Sequence, residues 1–249
     1  MTARYAIYFT PADTSALARF GATVLGREVT THKARVGAAS AEAGTDAKNS
    51  TDNAVEIKPF ADAALWRSYT EKPAQYGFHA TVKAPFELAG DCTAAELLSE
   101  LSSYCAGRRA IVLTELAPSR LQAFTALTMP NQPNELIELA ADVVRHFEPY
   151  RQALTSADKN RRHIDSITPS QLDNLEQYGY PYIFSDFQFH MTLSNALPEH
   201  EDRFLPWLRS TYQQMVQQTP VLDRLCVFRQ VDRTTPFVRI AEFRLSDQA

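Results

Sequence analysis

Cysteine is scarce in this chain: Cys92, Cys105 and Cys226 are the only three in 249 residues. An odd number with no C-x-x-C spacing supports neither a disulfide framework nor a zinc ribbon. Glycine is scarce as well, at eight residues. None of the eight forms a G-x-x-x-x-G-K-[ST] or G-x-G-x-x-G loop, so nothing is built to cradle a nucleoside triphosphate or a dinucleotide. No apolar run approaches the ~20 residues needed to cross a bilayer, and no membrane partner is expected. The opening MTARYAIYFTP enters a strand pattern at once, without a basic and then apolar leader. The expected location is the cytoplasm. Positive charge is not in excess either, with a net charge of −4. That balance disfavours sequence-independent binding along a polyanion, but a local cluster of donors could still hold a small anion.

What is present is an ordinary globular composition, 45% hydrophobic and 22% charged. At this length it supplies a core that needs no disulfide or metal staple. The segment RYAIYF reads as a first strand ending at Pro11, and DTSALARFGATVLG as a helix with Asp13 at its N-cap and Gly26 at its end. Residues 37–53 lack any large apolar side chain and read as a flexible loop. TAAELLSELSSYCAG carries a capping box from Thr93 to Glu96 and stops at Gly107. AIVLTELAPS and LQAFTALTMP look like two strands joined across Pro118. In NELIELAADVVRHFEPYR, Leu136, Leu139, Ala140, Val143, Val144 and Phe147 make one apolar stripe. His146 then sits at the flank of that helix. A further helix starts with Thr168 as N-cap, Pro169 at its first position and Gln171 closing the box. Another follows from about Arg203 to Gln217, and RLCVFRQ and FVRIAEFRL close the chain as a strand pair. Strands and helices alternate in the same order twice. The expected fold is therefore α+β: two similar lobes in a single unit spanning residues 1–249, with antiparallel sheets facing a central cleft and helices outside.

One short pattern is written twice. YGFHATVKAPF contains Phe78-His79-Ala80-Thr81, and FQFHMTLSNAL contains Phe189-His190-Met191-Thr192, in a chain with only six histidines. Side chains alternate along a strand. Gly77, His79, Thr81 and Lys83 then share one face, and Phe78, Ala80 and Val82 the other. In the second copy Asp186, Gln188, His190, Thr192 and Ser194 oppose Phe187, Phe189, Met191 and Leu193. A polar face can be nothing more than the solvated side of an antiparallel sheet, but a solvated face has no need of the same His-x-Thr pair twice. Two imidazoles, one accepting and one donating a proton, with hydroxyls to bind non-bridging oxygens, suit acid–base chemistry on a phosphodiester. Lys83 and Ser194, on the same faces, are candidate substrate contacts.

Tandem His-x-Thr motifs of this kind resemble the 2H phosphoesterase superfamily, whose fold is LigT-like. The extended forms YGFHATVKAPF and YGYPYIFSDFQFHMTLSNAL, the start RYAIYFTP, the LGRE after the first helix and the Arg161-Arg162 pair look closest to one branch. That branch is of uncharacterised function and is often encoded beside phosphonate-degradation genes. The resemblance covers nearly the whole chain except the 37–53 loop. It implies that His79, Thr81, His190 and Thr192 are the catalytic set. It also implies hydrolysis of a cyclic phosphodiester without metal or other cofactor, with phosphonate metabolism as the setting its genomic company suggests. Which histidine is acid and which base stays open at this point. Arg161 and Arg162, with His163, could form a basic lid or merely a solvated helix end. Tyr182 could stack on a base or sugar, as could Tyr178 and Tyr180, although packing aromatics are common. Tyr8 could wall the cleft.

Three other readings stay open. In a zinc site His79 and His190 would need a third ligand, for which Asp186 is the candidate. Processing of RNA 2′,3′-cyclic ends is disfavoured by the acidic charge and the lack of a basic–aromatic strip, so nucleic acid is possible as a partner but not preferred. The same cleft could also belong to a non-catalytic protein that binds a phosphate or phosphonate ligand. His32, His163 and His200 lie in polar stretches and read as bystanders.

Overall fold

The structure is a computed structural model that describes residues 2–26, 60–155, 158, 167–198 and 201–246. The predicted 37–53 loop, the Arg27-Glu28 half of the LGRE segment and Arg161, Arg162, His163, His32 and His200 lie outside the described residues.

The centre is a seven-stranded antiparallel sheet. Its strands are β1 (Arg4–Phe9), β2 (Ala80–Glu87), β4 (Ala117–Leu121), β5 (Phe124–Thr128), β6 (His190–Thr192), β8 (Arg224–Gln230) and β9 (Val238–Arg244). Their spatial order is β4-β5-β6-β2-β1-β8-β9. Two short strands, β3 (Ile111–Val112) and β7 (Val221–Leu222), pair separately. Six α-helices are described: α1 (Ala16–Leu25), α2 (Ala63–Tyr76), α3 (Ala94–Ala106), α4 (Asn134–His146), α5 (Pro169–Tyr178) and α6 (Phe204–Met215). The class is α+β. The two motif strands, expected on separate sheets opposed across a cleft, are instead hydrogen-bonded neighbours in one sheet, with Ala80 opposite Met191.

Period-2 patterning decides what each face of that sheet does. Tyr5, Ile7 and Phe9 of β1, Ala80 and Val82 of β2 and Met191 of β6 enter one apolar core. Leu17, Phe20 and Val24 of α1, Leu97 and Leu101 of α3, the Leu136–Val143 stripe of α4 and Leu208 of α6 complete it. Among the described residues the opposite face holds a small cluster of Ala6, Tyr8, Cys226, Phe228 and Phe237, beside the polar row that carries both motifs.

The helix ends follow the caps written in the sequence. Thr93 and Glu96 form the reciprocal box of α3, and Thr168 and Gln171 that of α5 with Pro169 in its first turn. At α1 the cap is Ser15, whose hydroxyl accepts from the Ala18 amide. Asp13, expected there, pairs instead with Arg239 at 2.6 Å. The hairpin expected across Pro118 turns at Gln122 and Ala123, where Gln122 adopts φ 53°. Pro118 is an ordinary strand residue opposite Leu127.

Gly21 fixes how α1 lies on the first motif. A Cβ there would stand 2.2 Å from ring atoms of Phe78, the buried residue just before His79. In an open helix, Gly→Ala gains about 1 kcal/mol of propensity. Here the overpacking costs about 1–3 kcal/mol, so Gly21→Ala should lower the melting temperature by several degrees. A thermal melt no lower than that of the wild type would show that α1 and Phe78 are not in this close contact.

Candidate active site

The first motif leaves α2 through Gly77, at φ 79° and ψ 173°. That region is open almost only to glycine. The turn puts the Gly77 carbonyl 2.9 Å from His79 Nδ1. In the second motif the Gln188 carbonyl lies 2.8 Å from His190 Nδ1. A carbonyl can only accept, so each Nδ1 carries its proton and each Nε2 is left as the proton-exchanging atom. The two rings are thus oriented by the same device, a carbonyl two residues upstream.

Strand pairing brings the copies together. Continuing the antiparallel register from Ala80 opposite Met191 sets His79 against Thr192 and His190 against Thr81. A local two-fold through that pair relates His79 to His190, Thr81 to Thr192 and Phe78 to Phe189. The two histidines are then diagonal neighbours, about 7–8 Å apart with their Cβ atoms somewhat closer. All four side chains are half-buried. Neither threonine hydroxyl has a hydrogen-bond partner among the described residues. The row continues to Thr128, opposite His190 on β5, and to Tyr8, opposite Thr81 on β1.

Tyr8 is 2% exposed and stacks beneath His79, ring centroids 4.1 Å apart at 27°. It is a floor for the imidazole where the sequence suggested a wall of a cleft. Tyr76, at 42% exposure, stands at the rim, 6.3 Å from the His79 ring. Burial, against the opposing pull of the Gly77 carbonyl and with a smaller push from the neighbouring His190, brings the His79 pKa down to about 4. His79 is therefore neutral at pH 7, with Nε2 free to accept a proton.

Two predicted contacts leave this row. Lys83 was expected beside Thr81, but the β1–β2 register shifts between Tyr8 opposite Thr81 and Ile7 opposite Lys83. One extra residue in β2 turns the lysine to the helical side. There it is 3% exposed, and its ammonium donates to the Val144 carbonyl and to Glu148, each at 3.0 Å. Ser194 also departs, because β6 ends at Thr192 and both following amides donate to the Thr125 carbonyl. The Ser194 hydroxyl, now buried, accepts from the Thr125 amide and donates to the Asn195 carbonyl. Tyr182 is exposed and meets Tyr180 edge-on at 5.7 Å, and no ring contact joins it to either histidine among the described residues. Tyr178 packs edge-on against Phe184.

Asp186, the third zinc ligand considered, accepts from the Gln171 amide at 2.7 Å. Among the described residues no three His, Cys, Asp or Glu side chains converge as a metal site would need. His146 contacts Glu100 at 2.6 Å on the outer surface. No described helix is long and apolar enough to cross a membrane. The residues that sequence reasoning missed are Tyr76, Thr128 and the two carbonyls. The recurrence of the motif was a signal for the carbonyls, whereas Tyr76 and Thr128 depend on tertiary register.

Residues 81–238, which begin at Thr81, two residues after His79, and include all of the second motif, match the family described as "Protein of unknown function (DUF1045)". The chain belongs to the DUF1045 family. Among curated proteins it is similar to the "Ribose 1,5-bisphosphate phosphokinase PhnN" of Janthinobacterium sp. (strain Marseille), 32% identical over 250 residues, covering 98% of this chain and 51% of that protein. The protein of the same name from Laribacter hongkongensis (strain HLHK9) is 27% identical over 196 residues, covering 79% of this chain and 41% of that one. This DUF1045 chain spans about half the length of the curated relatives it matches, or less.

Proposed function

We propose that this DUF1045 protein is a phosphoesterase of the 2H type that hydrolyses a small cyclic phosphodiester by two-histidine acid–base catalysis. The observation that carries the reading is the matched pair of imidazoles, each with Nδ1 held by the carbonyl two residues upstream and Nε2 left free. On this reading the β2-β1-β8-β9 and β6-β5-β4 halves of the sheet correspond to the two lobes of the LigT-like fold, and the two-fold through Ala80 and Met191 relates them.

The chemistry follows from the geometry. A phosphate seated over the row accepts hydrogen bonds from the Thr81 and Thr192 hydroxyls on its non-bridging oxygens, which stabilises charge developing in the transition state. His79, neutral because it is buried, takes a proton from water as the new O–P bond forms. His190 gives its Nε2 proton to the alkoxide as the ring P–O bond breaks, and the product is a monoester with a free hydroxyl. Solvent then reprotonates His190 and deprotonates His79. Acid, base and oxyanion donors are all protein groups, so the mechanism draws on no metal. Tyr8, Tyr76 and the segment around Tyr182 are assigned to shaping the pocket, and the Arg161-Arg162 pair, on the sequence resemblance alone, to binding the substrate anion.

The relatives' name refers to a kinase acting on a phosphorylated ribose, a different reaction. The present chain contains no P-loop sequence, and the kinase name describes proteins about twice its length. We retain from it the substrate chemistry, a small sugar phosphate, which agrees with a place in phosphonate metabolism.

The test is turnover of a panel from nucleoside 2′,3′-cyclic phosphates to ribose 1,2-cyclic phosphates, in excess EDTA. Hydrolysis of at least one member is expected, and no turnover by the folded protein would overturn the assignment in favour of a binding protein. The pH dependence checks the roles. A base that titrates at about 4 stays neutral well below the ordinary histidine value. On the acid side kcat/KM should therefore hold through pH 6 and fall only as pH approaches about 4. A midpoint near 6.5 would remove His79 from the role of base.

A further inference from the structure

The face that carries the histidines continues along β1, because Arg4, Ala6 and Tyr8 alternate onto one side. At its far end Arg4 is half-buried, with Nε and one Nη2 hydrogen both donated to the same neutral acceptor, the Gln230 side-chain oxygen. A guanidinium has five N–H donors, so three have no partner among the described residues. Glu87, directly opposite Arg4 in the β1–β2 register, is turned to Thr2 and lies 3.7 Å from Arg233. Arg233 is also paired with Asp158, whereas Arg4 has no ion pair among the described residues. Burial and the nearby Arg233 pull the Arg4 pKa down, against the smaller opposing pulls of Tyr76, Tyr8 and Glu87.

Arg4 and the histidine row share one aromatic cluster. The Arg4 guanidinium stands 5.4 Å from the centre of Phe237, a ring that also contacts Tyr8 and stacks against Tyr76 at 26°. Tyr8 and Tyr76 in turn flank His79. Four residues of strand, about 13 Å between Cα atoms, separate Arg4 from Tyr8, and the arginine stem shortens that gap. A small molecule with anionic groups at both ends would span it.

We infer that Arg4 forms a second anion subsite, so that the substrate carries a phosphate or carboxylate in addition to the phosphodiester held between the histidines. A half-buried guanidinium whose side-chain hydrogen bonds go to a neutral amide, with no carboxylate in direct contact among the described residues, keeps donors that a forked anion would take up. Tyr76, exposed at the rim, is in ring contact with both His79 and Phe237 and so links the two ends. The inference rests on the phosphoesterase reading only for what occupies the first subsite.

The experiment compares uridine 2′,3′-cyclic phosphate with its 5′-phosphorylated form on the wild type, Arg4→Gln and Arg4→Lys. The wild type should prefer the doubly anionic substrate, and Arg4→Gln should shrink the ratio of the two kcat/KM values by roughly 10–100-fold, the worth of charged hydrogen bonds to one anion. Arg4→Lys, which keeps the charge without the fork, should fall between. An unchanged ratio in Arg4→Gln would overturn the subsite. Calorimetric binding of glucose 1,6-bisphosphate against glucose 6-phosphate separates this from failure of the phosphoesterase reading. If neither uridine compound is turned over but the wild type binds the bisphosphate at least tenfold more tightly, and Arg4→Gln abolishes that margin, the subsite stands. Equal binding of both sugars by the wild type would refute it. Should Arg4→Gln not fold, the Arg4 Nε–H resonance of the wild type decides: a shift on adding the bisphosphate supports the subsite, and its absence refutes it.

Discussion

Replacing either motif histidine by asparagine should lower turnover by about 10²–10⁴-fold with the fold intact. Asparagine is close to imidazole in bulk and can still donate a hydrogen bond to the upstream carbonyl, so the strand geometry around Gly77 and Gln188 is kept. What it cannot do is exchange a proton at the position of Nε2. The double variant should be only modestly worse than the poorer single variant, since acid and base serve one step and their effects are not additive. The two substitutions should also differ in their effect on folding. His79 lies over buried Tyr8, so its loss disturbs packing. His190 meets Phe124 only loosely, at 6.1 Å, and its loss should leave the melting temperature nearly unchanged. Single variants with wild-type turnover would show that the row is a solvated sheet face.

The second large effect concerns stability. Glu148 holds two buried cations at once: Lys83 at 3.0 Å and Arg151, whose Nε donates to it at 2.8 Å. The lysine and arginine side chains are 3% and 8% exposed. Burial pulls the Lys83 pKa down, and the carboxylate of Glu148 opposes that pull. Glu148→Ala would leave two like charges facing each other without a counter-ion, at a cost of roughly 3–5 kcal/mol. Lys83→Met should cost much less, because Glu148 keeps Arg151 and the methionine stem can fill the lysine's path. Urea denaturation of both variants checks this. Equal losses would mean that the Lys83 contact, rather than the uncompensated pair, carries the energy.

The Lys83 result also shows where sequence reading ended. The faces of both motif strands were legible because Phe78, Ala80, Phe189 and Met191 alternate with His79, Thr81, His190 and Thr192. The caps Thr93 and Thr168 and the α4 stripe were legible because their signals lie within one or two helical turns. Period-2 counting fails wherever a strand gains a residue that its partner lacks, and that is a property of the β1–β2 pair which no local pattern records. It sent Lys83 to the wrong face, and the strand end at Thr192 did the same for Ser194. Repetition suggested two opposed sheets, but it could not say whether β2 and β6 would face each other or pair edge to edge. Nothing in the sequence marked Arg4, since the side chain that takes its hydrogen bonds, Gln230, comes from a distant strand and Glu87 is turned to Thr2.

The central claim is that the two motifs act on one phosphate, and it can be tested without knowing the natural substrate. Protein labelled with ¹⁵N at histidine would be titrated with orthovanadate, a phosphate-like anion, and the Nε2 resonances of His79 and His190 followed. Both should shift together with a single binding constant, while His146, on the outer surface, stays unmoved. A response from only one of the two, or from each with its own constant, would contradict the shared site.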